Sequence, residues 1–528
     1  MDTTTSATSL EAFVQAITDR FIHLTRNLGA WVEAEPRSLQ QLEEHLLAQL
    51  HQLGNALLTG LLSLAAVAPP ATITCPCGAT ASFRRQRPAT VTTVLGRLTY
   101  TRATYGCATC HQGHAPLDLQ LQVAAGSFSP ALQELLALLG ATQTSFADAA
   151  TVLERLCLVR VCPNSVRMAT EELGATLSEQ TQSAAELAQE PTQRVVPQPA
   201  TPRRLYISMD GVLVHCQNRT WRELKAGCVY TTRSTRSRRN PHQHTLRMEQ
   251  PSYSASLAEA AAFGEVLAVE AHRRGVDKAD EVIVIGDGAH WIWKLAEEQF
   301  PQATQIVDWY HASQYLWQAA SSLYGEGTPA RAEWAKQHLD ALWEGRMEDV
   351  LAALQPNAGD KGACDAALSY YRTHRERMDY PSYRARGLQI GSGTIESTCK
   401  HLIGARLKQA GMIWSEAGAD AVSVVRAWLK SGRWAEAIAQ RKVPRRLYRR
   451  QVQEVESKAR EEAHAPEVGT SAEGAAQEEE RVREVIAQVR AELAQEQAVH
   501  PWRKAWSVRQ QCRQTEARLA EATVASTA

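Results

Sequence analysis

Glu281–Trp293 reads EVIVIGDGAHWIW. Val282–Ile285 is a fully apolar, β-branched run that reads as a buried strand. It stops at Gly286-Asp287-Gly288, a turn signal, and helical spacing follows from Trp291 to Gln299. Strand, acidic turn and helix in that order belong to a layered α/β domain. Upstream, Arg204–His215 (RLYISMDGVLVH) is a second apolar strand with Asp210 near its middle, and Trp221–Thr232 suggests a third. Ser256–Arg274 reads as a helix, and Gln305–Val307 as a short strand before Asp308. From His311 to about Asp379 the pattern is helical, carries Trp317, Trp334 and Trp343, and offers no strand, which marks an all-helical insertion at about 312–385.

Beyond that insertion comes Gly391–Lys408, GSGTIESTCKHLIGARLK. Ser392 or Thr394 can cap a helix running to Lys408, and Glu396 then falls in the first turn, where negative charge is favoured. Glu396, Lys400, Ile403 and Leu407 share one face of that helix. The glycines suggest close backbone approach to a ligand. Asp210, Asp287 and Glu396 thus reach solvent from two strands and one helix. Carboxylates converging from separate elements suit a pair of Mg²⁺ ions, which can clamp the attacking and leaving oxygens of a phosphodiester. Taken singly, each acid is more at home capping a turn or a helix. Their joint placement points to metal-dependent cutting and joining of nucleic acid.

The order of DG at Asp210, GDGAHWIW at Asp287, DWYH at Asp308–His311 and GSGTIESTCKHL at Glu396 resembles bacterial insertion-sequence transposases of the ISKra type. More broadly it is similar to Mutator-like DDE transposases. The resemblance covers about residues 200–435. It implies an RNase H-like mixed sheet with flanking helices over 203–435, and Asp210, Asp287 and Glu396 as catalytic ligands of Mg²⁺ or Mn²⁺. Asp308 and His311 match an Asp-x-x-His element close to the site, and His290 lies beside the second acid. Asp308 also follows an apolar strand and competes with Asp287 for the second position. The implied partners are transposon terminal inverted repeats and target DNA, bound by a homodimer or higher oligomer. A catalytically inactive DNA-binding regulator on the same scaffold and an RNase H-like structure-specific nuclease are the alternatives.

A second metal site is legible upstream. Cys75-Pro-Cys77 and Cys107-Ala-Thr-Cys110 flank strand-like sequence (TVTTVLGRLTYTRATY), the layout of a zinc ribbon over 71–120 with four thiolates around a structural Zn²⁺. The first pair is C-x-C, not the usual C-x₂-C, so His111 and His114 stand as substitutes. Before it, residues 1–70 are helical, with Leu39, Leu42, Leu46, Leu50, Leu53 and Leu57 at helical spacing. After it, 127–190 has the rhythm of a helix-turn-helix, a helix over FADAATVLERL, a turn near Val161–Pro163 and a second helix exposing Arg167.

The 528 residues carry 57 Lys plus Arg and 57 Asp plus Glu, so bulk charge announces no partner. Local patches do: Arg233, Arg236, Arg238 and Arg239 form a basic loop suited to phosphate, and Lys400, Arg406 and Lys408 surround Glu396. Pro191–Pro202 reads as a linker, and 436–528 as a charged, helical, partly disordered tail whose Glu478–Gln497 helix could associate. No apolar run is long enough to span a membrane. No secretory signal is visible, and the eleven mostly scattered cysteines suit a reducing compartment. A cytoplasmic, multidomain α/β protein is the expectation.

Overall fold

The computed structural model describes residues 10–64, 68–124, 126–188, 204–236, 244–355 and 362–442. The expected linker at 191–202, Arg238 and Arg239, and the tail beyond Lys442 lie outside the described residues.

Two long helices open the chain, α1 (Leu10–Ala34) and α2 (Leu39–Leu64). A four-stranded antiparallel sheet follows, in order β1 (Thr72–Thr74), β2 (Thr80–Thr93), β3 (Gly96–Cys107), β4 (Gly113–His114). Its long β2–β3 hairpin turns at Val94-Leu95, with Gly96 at φ +104°, a conformation that favours glycine. The side of the hairpin bearing Val91, Leu98 and Tyr100 is covered by Leu58 and Leu62 of α2. Asn55 fixes that contact by donating to the carbonyls of Leu95 and Arg97.

Short α3 (Pro116–Gln120) leads to three packed helices, α4 (Pro130–Thr142), α5 (Phe146–Cys157) and α6 (Pro163–Ala188). Ser129 and Ser145 cap α4 and α5, and Leu158 closes α5 in the left-handed conformation. The expected helix, turn and helix are all present. The second helix, however, continues for 26 residues.

The second sheet has five strands in the order β7-β6-β5-β8-β9: β5 (Arg204–Cys216), β6 (Thr220–Arg236), β7 (His244–Ser256), β8 (Glu281–Gly286) and β9 (Thr304–Val307). β5, β6 and β7 form an antiparallel meander, whereas β8 joins β5 in parallel and β9 joins β8 in parallel. The parallel half is built through α7 (Ala260–Arg273) and α8 (His290–Gln299). Successive side chains on a strand face opposite ways. Gly227 of β6 meets Leu267 and Phe263 of α7, while the Cys228 thiol bonds to Thr398 on the other face. The sheet is therefore covered on both sides, and Leu205–Ile207 and Ile283–Ile285 are wholly buried.

Between β9 and the Glu396 segment the described residues form helices and their connecting turns, with no strand: α9 (Trp309–Tyr324), α10 (Pro329–Trp343), α11 (Met347–Leu354), α12 (Ala363–His374) and α13 (Tyr380–Ala385). A helical block is thus found where the all-helical insertion is expected, and it begins at the very end of β9. α14 (Gly393–Thr398), a π-helical turn (Cys399–Gly404) and α15 (Ala405–Leu407) follow, then α16 (Glu416–Lys430) and α17 (Trp434–Ala439). α16 meets α6 through Val424 and Val425 against Leu173 and Leu177. Gly174 comes so close that an added Cβ would lie 2.2 Å from the Ala421 carbonyl oxygen.

Candidate active site and metal-binding cluster

Register sets the acids. Ser208 of β5 pairs with Ile285 of β8, so Asp210 and Asp287 each stand two residues further along neighbouring parallel strands. Gly286 pairs with Val307 of β9, so Asp308 is next in the row. Neighbouring strands lie about 4.8 Å apart. β8 and β9 end here, whereas β5 continues to Cys216 because β6 still pairs with it, Asp210 facing Ala226. Asp210 therefore sits in mid-strand, beside the point where its parallel neighbour stops.

The Asp210 carboxyl is held above its usual range, first by burial and also by the charge of Asp287. Its Oδ1 accepts from the Gly211 N–H at 2.7 Å, and its Oδ2 lies 3.5 Å from the Cys399 thiol. Burial and the Asp210 charge push that thiol well above its normal value. Asp287 Oδ1 accepts from the Ala289 N–H at 2.9 Å, and the Asp287 carbonyl accepts from the Tyr370 hydroxyl at 2.8 Å. Gly288 has φ +109° and a Cβ would strike the Tyr370 ring, so the Asp-Gly turn admits glycine on two counts.

Asp308 is of another kind. It is 1 % exposed and caps α9 through the N–H groups of Tyr310 and His311. It also accepts from the Ser392 N–H (2.9 Å) and Oγ–H (2.8 Å) and bonds His311 Nδ1 at 2.6 Å. Burial alone would raise its pKa, but these donors hold it below the usual carboxylate value. His311 is raised in turn, first by Asp308, and the charges of Asp287 and Asp210 add to this. Asp308 is thus a clamp between β9, α9 and the segment leading to α14, and its lone pairs are already used. The Asp287 carboxylate carries fewer such donors.

Glu396 does not join the pair in this structure. Its side chain is 63 % exposed and its Oε1 lies 2.6 Å from Lys400 Nζ. The expected common face of Glu396, Lys400, Ile403 and Leu407 is also broken. The π turn inserts a residue into the helical phase, so Glu396 and Lys400 face solvent while Ile403 and Leu407 are buried. Ser392, expected as a possible helix cap, spends its hydroxyl on Asp308 instead. His290 starts α8 and is exposed.

The cations divide. Arg406, expected at phosphate, is 1 % exposed. It donates to the carbonyls of Gly140 and Thr144 and lies over the rings of Phe146 and Trp414, tying α15 to α4 and α5. A buried guanidinium so engaged does not reach DNA, and the expectation is corrected. Arg426 beside it is likewise buried on the carbonyls of Leu402, Ala141 and His401. Arg167 is held by Glu171 and Asn164. Arg233 pairs with Glu249 at 2.7 Å on the surface, and Arg236 and Lys408 are exposed. Trp293 is buried and Trp291 packs on Phe263, so both belong to the core.

The four cysteines do converge. Cys75, Cys77, Cys107 and Cys110 bring their sulfurs within 4.8 Å of one another, which among the described residues is the one such group able to hold a metal ion. Cys75 and Cys110 sulfurs are 3.4 Å apart, and those of Cys77 and Cys107 3.7 Å. A tetrahedral Zn²⁺ with Zn–S bonds of about 2.3 Å needs sulfur–sulfur edges of about 3.8 Å. The thiols fit a metal such as zinc despite the shortened C-x-C pair. Backbone bonds from Gly78 to Cys75 and from Cys107 to Gln112 shape the two cysteine turns. The backbone N–H of Cys110 foremost draws the Cys107 thiol down to about 6, whereas Cys75, despite the Cys77 backbone N–H, is pushed up to about 12 by burial and the neighbouring thiols, and Cys110 is raised too, so thiols this close do not all ionise without a cation between them. His114 Nε2 stands 3.1 Å from Cys75 Sγ, beside the four sulfurs, and His111 lies in the turn after Cys110 with φ +56°.

Sequence reasoning missed Cys399 against Asp210, Tyr370 on the Asp287 turn and Ser392 on Asp308. None has a local signal, because each contact joins residues far apart in the chain.

Fold and site together define a mixed α/β protein with a row of carboxylates across neighbouring parallel strands and a separate small sheet whose four cysteines could hold a metal. The chain belongs to the uncharacterised protein family UPF0236, whose model matches residues 35–443. A search of curated proteins finds no match. Among the described residues no helix is long and apolar enough to cross a membrane.

Proposed function

We propose that this chain is a DDE transposase with an RNase H-like core, cutting and joining the DNA ends of an insertion sequence. The observation that carries the reading is the parallel register that holds Asp210 beside Asp287. Two carboxylates kept close in a partly buried site repel one another, and a divalent cation relieves that repulsion. The strand order, three antiparallel strands continued by two parallel ones, supports the RNase H-like part of the reading, as does the helical block before Glu396.

Asp210 and Asp287 would hold the ions, and Glu396 would complete the set once released from Lys400. Oxygen-only donors suit Mg²⁺ or Mn²⁺, and two such ions supply an activated water and a stabilised leaving oxygen. Asp308 fixes His311 through Nδ1, which leaves Nε2 as the ring nitrogen available to the site. Arg233, Arg236 and Lys408 are exposed cations suited to phosphate backbone, with Lys400 joining them when Glu396 turns away. The four-cysteine sheet and the α4–α6 helices would contribute to recognition of the terminal repeats.

Nicking of a supercoiled plasmid bearing the element's ends tests the reading. Cleavage is expected in Mg²⁺, lost in EDTA and lost in Asp210→Ala, with end binding retained by the variant. Mg²⁺-dependent cleavage by Asp210→Ala at the wild-type rate would overturn the site. The Glu396–Lys400 pair favours one other reading, a DNA-binding regulator without catalysis. That reading predicts end binding and no cleavage by the wild type.

A further inference from the structure

We propose that the α1–α2 hairpin is a self-association surface, occupied by the hairpin of a second copy of this chain. α1 and α2 hold 25 and 26 residues, yet Leu24 is the only residue buried in the pair. The helices touch through Phe13, whose ring fills the notch at Gly60, and through Trp31, stacked on His45 at 4.2 Å. The first contact joins the start of α1 to the end of α2 and the second the reverse, so the two run antiparallel.

Each helix carries a second apolar stripe that nothing among the described residues covers. On α1 it is Leu10, Val14, Phe21 and Val32, and on α2 it is Leu39, Leu46, Leu50 and Leu61. At about 100° per residue each set falls within about 60° of helix circumference. Both stripes are rotated in the same sense from the line of α1–α2 contact. For antiparallel helices that places them on one side of the hairpin, as a single apolar face. These eight side chains are 44–70 % exposed. At about 200 Å² for a large apolar side chain they present roughly 800 Å².

That area exceeds the roughly 300–600 Å² of the largest patch on an ordinary monomer. It matches the roughly 800 Å² that each partner contributes to a standard stable interface. A second copy fits it best. Two antiparallel hairpins make a four-helix bundle, and a two-fold axis brings identical stripes together. Nucleic acid does not fit, because Leu39–Leu64 contains no Lys or Arg and the two arginines of α1, Arg20 and Arg26, fall off its stripe. In proteins most of a helix's stability comes from packing of its apolar face.

Sedimentation velocity of the full-length protein, without DNA or divalent metal, tests this independently of any nuclease reading. The wild type is expected to be dimeric at about 10 µM. Val14→Glu/Leu50→Glu is expected to weaken the dimer at least tenfold, with helicity and zinc content unchanged, whereas Gln52→Glu, away from the stripe, leaves it intact. If the double variant loses helicity, Leu50→Asn carries the test with the same expected shift to monomer. A wild type that stays monomeric, or a folded stripe variant as dimeric as the wild type, overturns the proposal.

Discussion

Replacing Asp308 by Ala removes one buried carboxylate and leaves several donors without a partner. The Ser392 N–H and Oγ–H lose their acceptor inside the protein, at about 1–3 kcal/mol each, and α9 loses its cap at about 1 kcal/mol. The sum is about 3–5 kcal/mol after allowance for partial relaxation. For a cooperative unit the size of the five-stranded sheet and its helices, each kcal/mol lowers Tm by about 2–4 °C. Asp308→Ala is therefore expected to melt about 6–20 °C below the wild type in a thermal scan followed by circular dichroism. Asp308→Asn, which keeps an acceptor oxygen for Ser392, should lose about half as much. A loss below about 2 °C for Asp308→Ala would refute the clamp. It would also return Asp308 to contention as a metal ligand, since a carboxylate that is no clamp has lone pairs to offer.

Zinc analysis of the purified chain should give one metal per molecule, falling close to zero in Cys107→Ser. Because the buried residues of that cluster are only Cys75, Ala81, Tyr105 and Cys107, protease should then cut between Cys75 and His114, and unchanged zinc would refute the site. The Asp308–His311 pair also predicts a pH dependence. His311 is raised, so its contribution is complete below about pH 6.5 and is lost as pH rises through the folded value. Asp308 is depressed, so its contribution is complete above about pH 4 and is lost as pH falls through its folded value. Wild-type Tm should accordingly fall between pH 6 and 8.5 more than that of His311→Gln, and parallel curves would refute the linkage.

The parallel strands were legible because burial on both faces makes them continuously apolar, as in Val282–Ile285. β7 was not, since it is an edge strand rich in serine, with Pro251 placed beside a register shift where no ladder donor is needed. The helical insertion was clear from periodicity and from the lack of any β-branched run. The helix start around Glu396 was legible, but which of its faces would be buried was not, because a π turn at Cys399–Gly404 shifts the helical phase without a local signal. Arg406 looked like a surface cation in a basic stretch. Only the approach of Phe146 and Trp414 shows that it is a core residue. The cysteine cluster was read correctly in spite of its spacing, since four thiols at two hairpin ends have few other uses.

Anomalous scattering from crystals grown with Mn²⁺ tests the carboxylate site most directly. The account predicts manganese bridging Asp210 and Asp287 with metal–oxygen distances of about 2.0–2.3 Å, and Glu396 swung away from Lys400 toward it. Manganese absent from the Asp210–Asp287 pair, or bound instead at Asp308, would contradict it.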